Sequence, residues 1–557
     1  MLRLRWALAA AALAAALSAA CRRDDAPQPL PSAAPRPEPP KPREVVAELI
    51  VPRPGETWRG LRQALGARAQ LLPQAPELAL GALIGLEPLA AASVERDAPL
   101  VGAMLWVDAA PSVVLGVRVR SGAELVAQLT TGNAPSHRVE SEGELRMLAP
   151  AAAAASDARL AVLDDVLVTG PRAAIKVAAA YLVRAVAARA PRSGSPELRA
   201  SGEALRTVLV PELRKRWLEQ RAVLAASHAR EAAQRGRAAD FADPEVALRA
   251  ADGAVDGLLA VLESARELSL RVEPTAEHLR LAVTLAPASS GRAREFSAAL
   301  GEAAIARLLE LPSNTVLGLF VQRAPAADAG PSALGALFAG RAPAADERAL
   351  AEAWTAVEQG RGDGQLFALL PEFGVLWSGD VADAAKLDAG ISRLLAALAR
   401  PPLLGPLSAL AGRPRLVESR AQLAGVSEPV RRVRLEFAAA PGAKPRNLEV
   451  LWRVEPERYL LVAAPDARAA FARAFSAAAG TRLQSEPSGA AALALLPERA
   501  AHALLFDLGR LIPSTVEAAA APAPLAAAFG RQQHDLRLEL ALSHAALRTL
   551  IDLQVRQ

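Results

Sequence analysis

The sequence predicts an α+β fold: two related modules of mostly antiparallel sheet with helices on one face, plus a helical hairpin inserted in the first module. Three observations predict it. Segments such as LSLRV (268–272) and LRLELAL (536–542) alternate apolar and polar residues with the two-residue period of a half-buried strand. Between such segments lie alanine-rich stretches of helical length, several opened by proline, which suits a first helical turn because its missing N–H has no partner there. The order of these signals is written twice along the 557 residues.

The chain begins with a segment that is no part of that fold. Arg3 and Arg5 give Met1–Ala20 a charged start, and Trp6–Leu17 is an unbroken apolar run of signal-peptide length. A membrane-spanning helix needs roughly 20 apolar residues. Small residues Ser18, Ala19 and Ala20 then lead to Cys21, the single cysteine, so no intrachain disulfide can form. Residues 21–45 follow as a linker. Eight prolines within 22–45 and almost no large apolar side chain predict an extended, polyproline-like spacer of about 3.1 Å per residue.

Residues 46–75 read as a leading strand (ELIV) and helix (TWRGLRQALG). The first module is expected over 76–300 and the second over 312–557. Two stretches carry the repeat most plainly. DVLVTGPRAAI (165–175) and YLLVAAPDARA (459–469) each run from a strand to a proline and on into a helix, and each is preceded by a further strand across an acidic turn. LSLRVEPTAEHLRLAVTL (268–285) lies over LRLELALSHAALRTLIDL (536–553) without a gap, and both are expected to be β-hairpins. A looser pair, 104–129 and 366–395, gives strand, turn, strand, helix in each copy. The spacing between the proline and hairpin landmarks is longer in the first copy, and the excess falls in 196–262. Its pattern is helical, with Asp243 and Pro244 as N-cap and first helical residue.

The ending LSAAC resembles the box of exported bacterial lipoproteins, which implies cleavage before Cys21 and a diacylglycerol on its sulfur. Ser18 stands where that pattern usually has leucine, with Leu17 one place earlier. The other reading is a plain signal peptide cut after Ala20, with Cys21 incidental. Arg22, rather than the aspartate that retains Gram-negative lipoproteins at the inner membrane, implies delivery to the outer membrane. The repeated strand, acidic turn and VLVTGP layout, with openings such as LPSNTVLGLFVQ (311–322), is similar to a duplicated family of exported bacterial proteins known only as a domain of unknown function. That resemblance implies no catalytic residue.

Charge and motifs narrow the chemistry. Removing Arg3 and Arg5 takes the formal charge from +5 to +3, near neutrality for this length, and only five residues are lysine. Basic residues are spread and aromatics scarce, so nucleic acid is not an expected partner. The six histidines (His137, His228, His278, His502, His534, His544) are scattered, and no nucleophile-elbow, P-loop or H-E-x-x-H pattern occurs. No cofactor, metal or catalytic residue is implied. Asp164-Asp165 reads as a hairpin turn, and GRGDG (360–364) as a loop before a strand at 365–370. Gly379-Asp380 reads as a turn before a helix from Val381. The candidate functional surface is in the insertion, where Arg214, Lys215, Arg216 and Arg221 cluster beside Trp217. Such a face suits anionic headgroups or another envelope partner, although Glu212 and Glu219 offer helix-spaced ion pairs. The expectation is a lipid-anchored envelope protein. It would be a non-enzymatic binding or scaffolding module, with an apolar ligand groove as one variant. A periplasmic hydrolase assembled from dispersed residues is the alternative.

Overall fold

The computed structural model describes residues 38–557 except 109, 132–134, 142, 152–156, 192, 236–243, 324–343, 372–373, 399–414, 424–425, 427, 437–446, 476–481, 512–521 and 556–557. The expected signal segment, Cys21, the linker up to 37 and the Asp243 cap lie outside the described residues. The fold is α+β, with antiparallel sheet and helices in two compact units. One unit comprises residues 1–211, 265–287 and 542–557, and the other 212–264 and 288–541. These units are discontinuous, unlike the expected contiguous modules. The insertion counts with the second unit and the C-terminal residues with the first.

The first unit holds β1 (Val45–Val51), β2 (Leu100–Val107), β3 (Ala110–Arg118), β4 (His137–Ser141) and β5 (Arg146–Pro150). It continues with β6 (Ala158–Leu163), β7 (Val166–Pro171), β8 (Glu197–Ser201), β9 (Ala265–Pro274) and β10 (His278–Pro287). Antiparallel pairing runs β4-β5-β6-β7-β3-β2-β1-β8-β9-β10. The leading strand is thus a central member of its ladder.

The second unit holds the short β11 (Ala303–Ala304), then β12 (Leu317–Gln322), β13 (Arg361–Leu370), β14 (Gly374–Val381), β15 (Arg415–Ala421) and β16 (Val430–Glu436). It ends with β17 (Asn447–Val454), β18 (Arg458–Ala464), the short β19 (Arg499–Ala500), β20 (His502–Asp507), β21 (Pro524–Gln532) and β22 (Asp535–Ser543). Its ladder runs β15-β16-β17-β18-β14-β13-β12-β20-β21, again antiparallel. Strand for strand, this is the order of the first unit from β4 to β9.

Successive residues of a strand point to opposite faces, and here both faces are covered, one more than the sequence suggested. In the first unit Val114, Ala161 and Val168 join one core with Ile175, Ala178 and Leu182 of the helix after β7. Their neighbours Leu115, Leu160 and Leu167 join another, with Leu80, Ile84, Leu125 and Leu129 from helices 76–84 and 122–130. The second unit divides the same way. Leu376, Leu451 and Leu460 face one core with Phe471, while Trp377, Trp452 and Tyr459 face helices 344–360 and 384–398 in the other. Each large aliphatic side chain buried this way contributes roughly 1.5–3 kcal/mol.

Local chemistry sets the element ends. The β6–β7 turn places Asp164 at φ 51°, a left-handed backbone that aspartate tolerates, and Asp165 Oδ1 accepts the Gly122 N–H at 3.0 Å. Ser121 caps the helix after β3 by accepting from Glu124 N at 3.2 Å, with Glu124 at the capping-box position. The two landmark prolines stand just before their helices, which begin at Arg172 and Ala467; Asp466 caps the second, accepting from Ala469 N at 3.1 Å.

Four expectations are corrected. Residues 536–553 are not a hairpin: β22 ends at Ser543, whose hydroxyl accepts from Ala546 N at 3.0 Å and starts the helix His544–Val555. The first copy has a turn at that step, where Thr275 Oγ1 accepts from His278 N at 3.0 Å. The insertion starts later than 196, because Glu197–Ser201 is strand β8; its helices are Val210–Arg235 and Pro244–Glu263. The strand containing Arg-Gly-Asp begins at Arg361, with an irregular register up to Gln365 in place of a loop. Gly379-Asp380 is no turn, since β14 runs through to Val381 and the helix starts at Ala384.

Candidate functional site

The insertion helix Val210–Arg235 carries the predicted basic cluster, and the structure divides it. Trp217 Nε1 donates to Asp252 Oδ1 at 2.9 Å, and Arg221 Nε lies 2.9 Å from Asp252 Oδ2 on the facing helix. The Arg221 guanidinium, aided by the Trp217 indole N–H, holds the Asp252 carboxyl below its ordinary range. Arg216 pairs with Glu212 one turn away at 2.9 Å. Arg214 and Lys215 are exposed. Trp217 and Arg221 therefore fasten the helical hairpin, and two of the five predicted residues are left to face a partner in the way the sequence reading required.

A polar knot secures the point where the linker meets the first unit. Glu48 on β1 receives Lys41 Nζ at 2.9 Å and the Tyr181 hydroxyl at 2.7 Å, and Arg189 Nη2 donates to that hydroxyl at 3.0 Å. Burial pushes the Glu48 carboxyl up, but these partners outweigh it and leave it below the usual value. Burial, with the Glu48 contact, pushes the Tyr181 hydroxyl up to about 12. Lys41 belongs to the proline-rich stretch, so the last residues of that stretch are tied to the sheet.

A second polar group is wholly internal. Gln365 on β13 is 0% exposed; its Oε1 accepts from Trp377 Nε1 at 3.0 Å and from the Tyr459 hydroxyl, and its Nε2 donates to Gly362 O at 2.9 Å. Trp377 meets Tyr459 edge-on at 5.3 Å and stacks on Phe367 at 5.7 Å. Two-residue alternation places Gln365 on the same strand face as Phe367, a signal readable in the sequence.

Two pockets of the second unit are lined by charged side chains. At the β17–β18 turn an open pocket of about 400 Å3 is lined by Glu428, Arg453, Glu455, Glu457 and Arg458 without any serine, threonine, cysteine or histidine. Three of its charges are paired: Arg453 lies 3.0 Å from Glu455 and 3.5 Å from Glu428, with its guanidinium over Phe475. Another pocket, beside Asp507 and Arg510, has about 10 Å3, room for one water at most. There Asp507 Oδ1 accepts from Gly509 N and Ala523 N, and Arg510 Nε lies 3.1 Å from Asp507 Oδ2.

Two histidines far apart in sequence come together. His278 and His544 are each 6% exposed and interact electrostatically, and His544 N donates to Glu277 O at 2.9 Å. His544 Nε2 is buried with no hydrogen-bond partner among the described residues. Burial pushes both imidazoles down, Glu277 opposes this for each, and Arg548 pushes His544 down further. Among the described residues no group of three His, Cys, Asp or Glu side chains could hold a metal ion, and no helix is long and apolar enough to cross a membrane. Comparison with protein-family models, curated protein sequences and solved structures returned no match.

Proposed function

We propose that this chain is an exported, lipid-anchored envelope protein whose body is a non-catalytic binding or scaffolding module. One observation carries the reading: a signal-length apolar segment ends in LSAAC at Cys21 and runs straight into a proline-rich stretch. The knot of Lys41, Glu48, Tyr181 and Arg189 supports it, because a tether is useful only if its far end is fixed to the body. The shared strand order of the two ladders supports descent from one duplicated module. On this reading the outer membrane is the destination, and Arg214 and Lys215 face anionic headgroups or an envelope partner. Replacing Cys21→Ala in a Gram-negative host abolishes incorporation of radiolabelled fatty acid and moves the protein from the membrane to the soluble fraction. Persistent labelling of the variant refutes the anchor.

A further inference from the structure

We propose that the second unit contains a binding site for a single phosphate group, formed by Arg499, Arg531 and Arg537. The three arginines line one pocket of about 110 Å3 together with Pro497, Gly530 and Gln532, and no acidic residue is among its lining. The volume is below the roughly 300–1,000 Å3 of sites that enclose whole drug-sized ligands, so the pocket suits one charged group of a larger molecule or a small free anion.

The arginines are held from behind. Glu302 serves two of them: its carbonyl accepts from Arg499 Nη2 at 2.7 Å, and its carboxylate accepts from Arg531 N at 3.0 Å and lies 3.9 Å from Arg531 Nε. The third, Arg537, has its Nε 2.5 Å from Glu539, which is 0% exposed, and donates from Nη1 to Gln532. Two carboxylates thus position Arg531 and Arg537, and a backbone carbonyl positions Arg499. Arg499 has no carboxylate within ion-pair distance among the described residues. Arginine forks match the oxygens of phosphate in pairs, and with two of the three charges offset by Glu302 and Glu539 the group keeps a net positive charge that an anion would balance. The strands impose this convergence: β11 pairs with β19, bringing Glu302 beside Arg499, while Arg531 and Arg537 flank the turn between β21 and β22.

The phosphate could be free or belong to a lipid headgroup, and the test separates the two. It uses the mature chain with Cys21→Ala, so the result does not depend on the anchor. Inorganic phosphate is titrated by calorimetry at low ionic strength, and binding to phosphatidylglycerol vesicles is compared with binding to neutral phosphatidylcholine vesicles by co-sedimentation. The main variant is Arg499→Gln, because Arg499 makes one backbone bond and its loss strands no buried carboxylate. Losing one charge-assisted contact should weaken binding about tenfold or more, and Arg499→Lys should recover part of it. Phosphate binding that falls in Arg499→Gln supports a site for the free anion. Binding to the anionic vesicles alone, with the same fall, supports a headgroup site. No binding in either arm, or binding unchanged in both Arg499→Gln and Arg531→Gln, overturns the proposal.

Discussion

Gln365→Leu is the substitution that most directly tests how the second unit is held together. The change keeps an inward-facing side chain of similar size but removes the oxygen that accepts from Trp377 Nε1 and from the Tyr459 hydroxyl. Both donors are buried and lose their partner. An orphaned buried donor costs about 1–3 kcal/mol, so two cost about 2–6 kcal/mol. The Gly362 carbonyl is partly exposed and can turn to water, so it adds little. Tyr459→Phe alone removes one hydrogen bond and should cost about 0.5–1.5 kcal/mol. In the Gln365→Leu background it removes an orphan and should restore about 1–3 kcal/mol, a coupling read directly from the double-mutant cycle. Urea unfolding of the unacylated mature chain, followed by tryptophan fluorescence, is the assay. Trp354, Trp377 and Trp452, three of the six tryptophans of the mature chain, lie in or against the affected core and contribute to the signal. A Gln365→Leu midpoint within experimental error of the parent, or no recovery on adding Tyr459→Phe, refutes the reasoning.

Three further outcomes follow from packing and burial. A Cβ at Gly360 would sit 2.4 Å from Leu387 N and 2.6 Å from its Cα, so Gly360→Ala must push helices 344–360 and 384–398 apart. It should cost about 1–3 kcal/mol in the same urea assay, whereas Gly257→Ala, with nothing within 4 Å in the exposed face of its helix, should stabilise by about 0.5–1 kcal/mol. His278 and His544 are both pushed below the ordinary histidine value, so the fold favours their neutral forms. Their contribution to stability is present above the unfolded value near 6.5 and is lost as pH falls through it toward the lowered folded values. Melting temperature should therefore drop between pH 7 and pH 5, and the double variant His278→Gln, His544→Gln should show a shallower drop; an unchanged slope rules these histidines out as the cause.

The structure shows which parts of the sequence were readable and why. Turns and caps act within a few residues, so Asp164-Asp165 and the strand–turn–strand–helix pairs were legible; the landmark prolines mark the helix starts but precede the first turns, which open at Arg172 and Ala467. The 536–553 segment was misread because Leu547 and Ile551 satisfy a helical spacing of four as well as they extend an alternating list. The deciding feature was small: Ser543 caps a helix where the first copy has the Thr275 turn. Gln365 occupies a position that alternation assigns to the interior, yet its partners Trp377 and Tyr459 come from β14 and β18, and only the ladder order brings them together. The pairing of His278 with His544 and the convergence of Arg499, Arg531 and Arg537 depend in the same way on long-range contacts that no local spacing encodes.

The matching ladders also indicate where function can differ between the units. Whatever both ladders share serves the frame; what only one possesses is free to be specific. On β8, β9 and β10 three arginines share two carboxylates: Glu197 receives Arg271 at 2.9 Å and Arg199 at 2.7 Å, and Glu273 receives Arg280 at 3.2 Å. Around β19, β21 and β22 Arg531 and Arg537 likewise meet Glu302 and Glu539, but Arg499 is bonded only to a carbonyl and all three arginines line one cavity. The other asymmetry is the helical hairpin between β8 and β9, and there most of the predicted basic cluster is consumed internally by Asp252 and Glu212. Unspent positive charge beside a cavity is a stronger reason to expect a ligand than a run of basic residues along a helix. On that ground the arginine pocket ranks above the basic cluster as the place to look for what this protein binds.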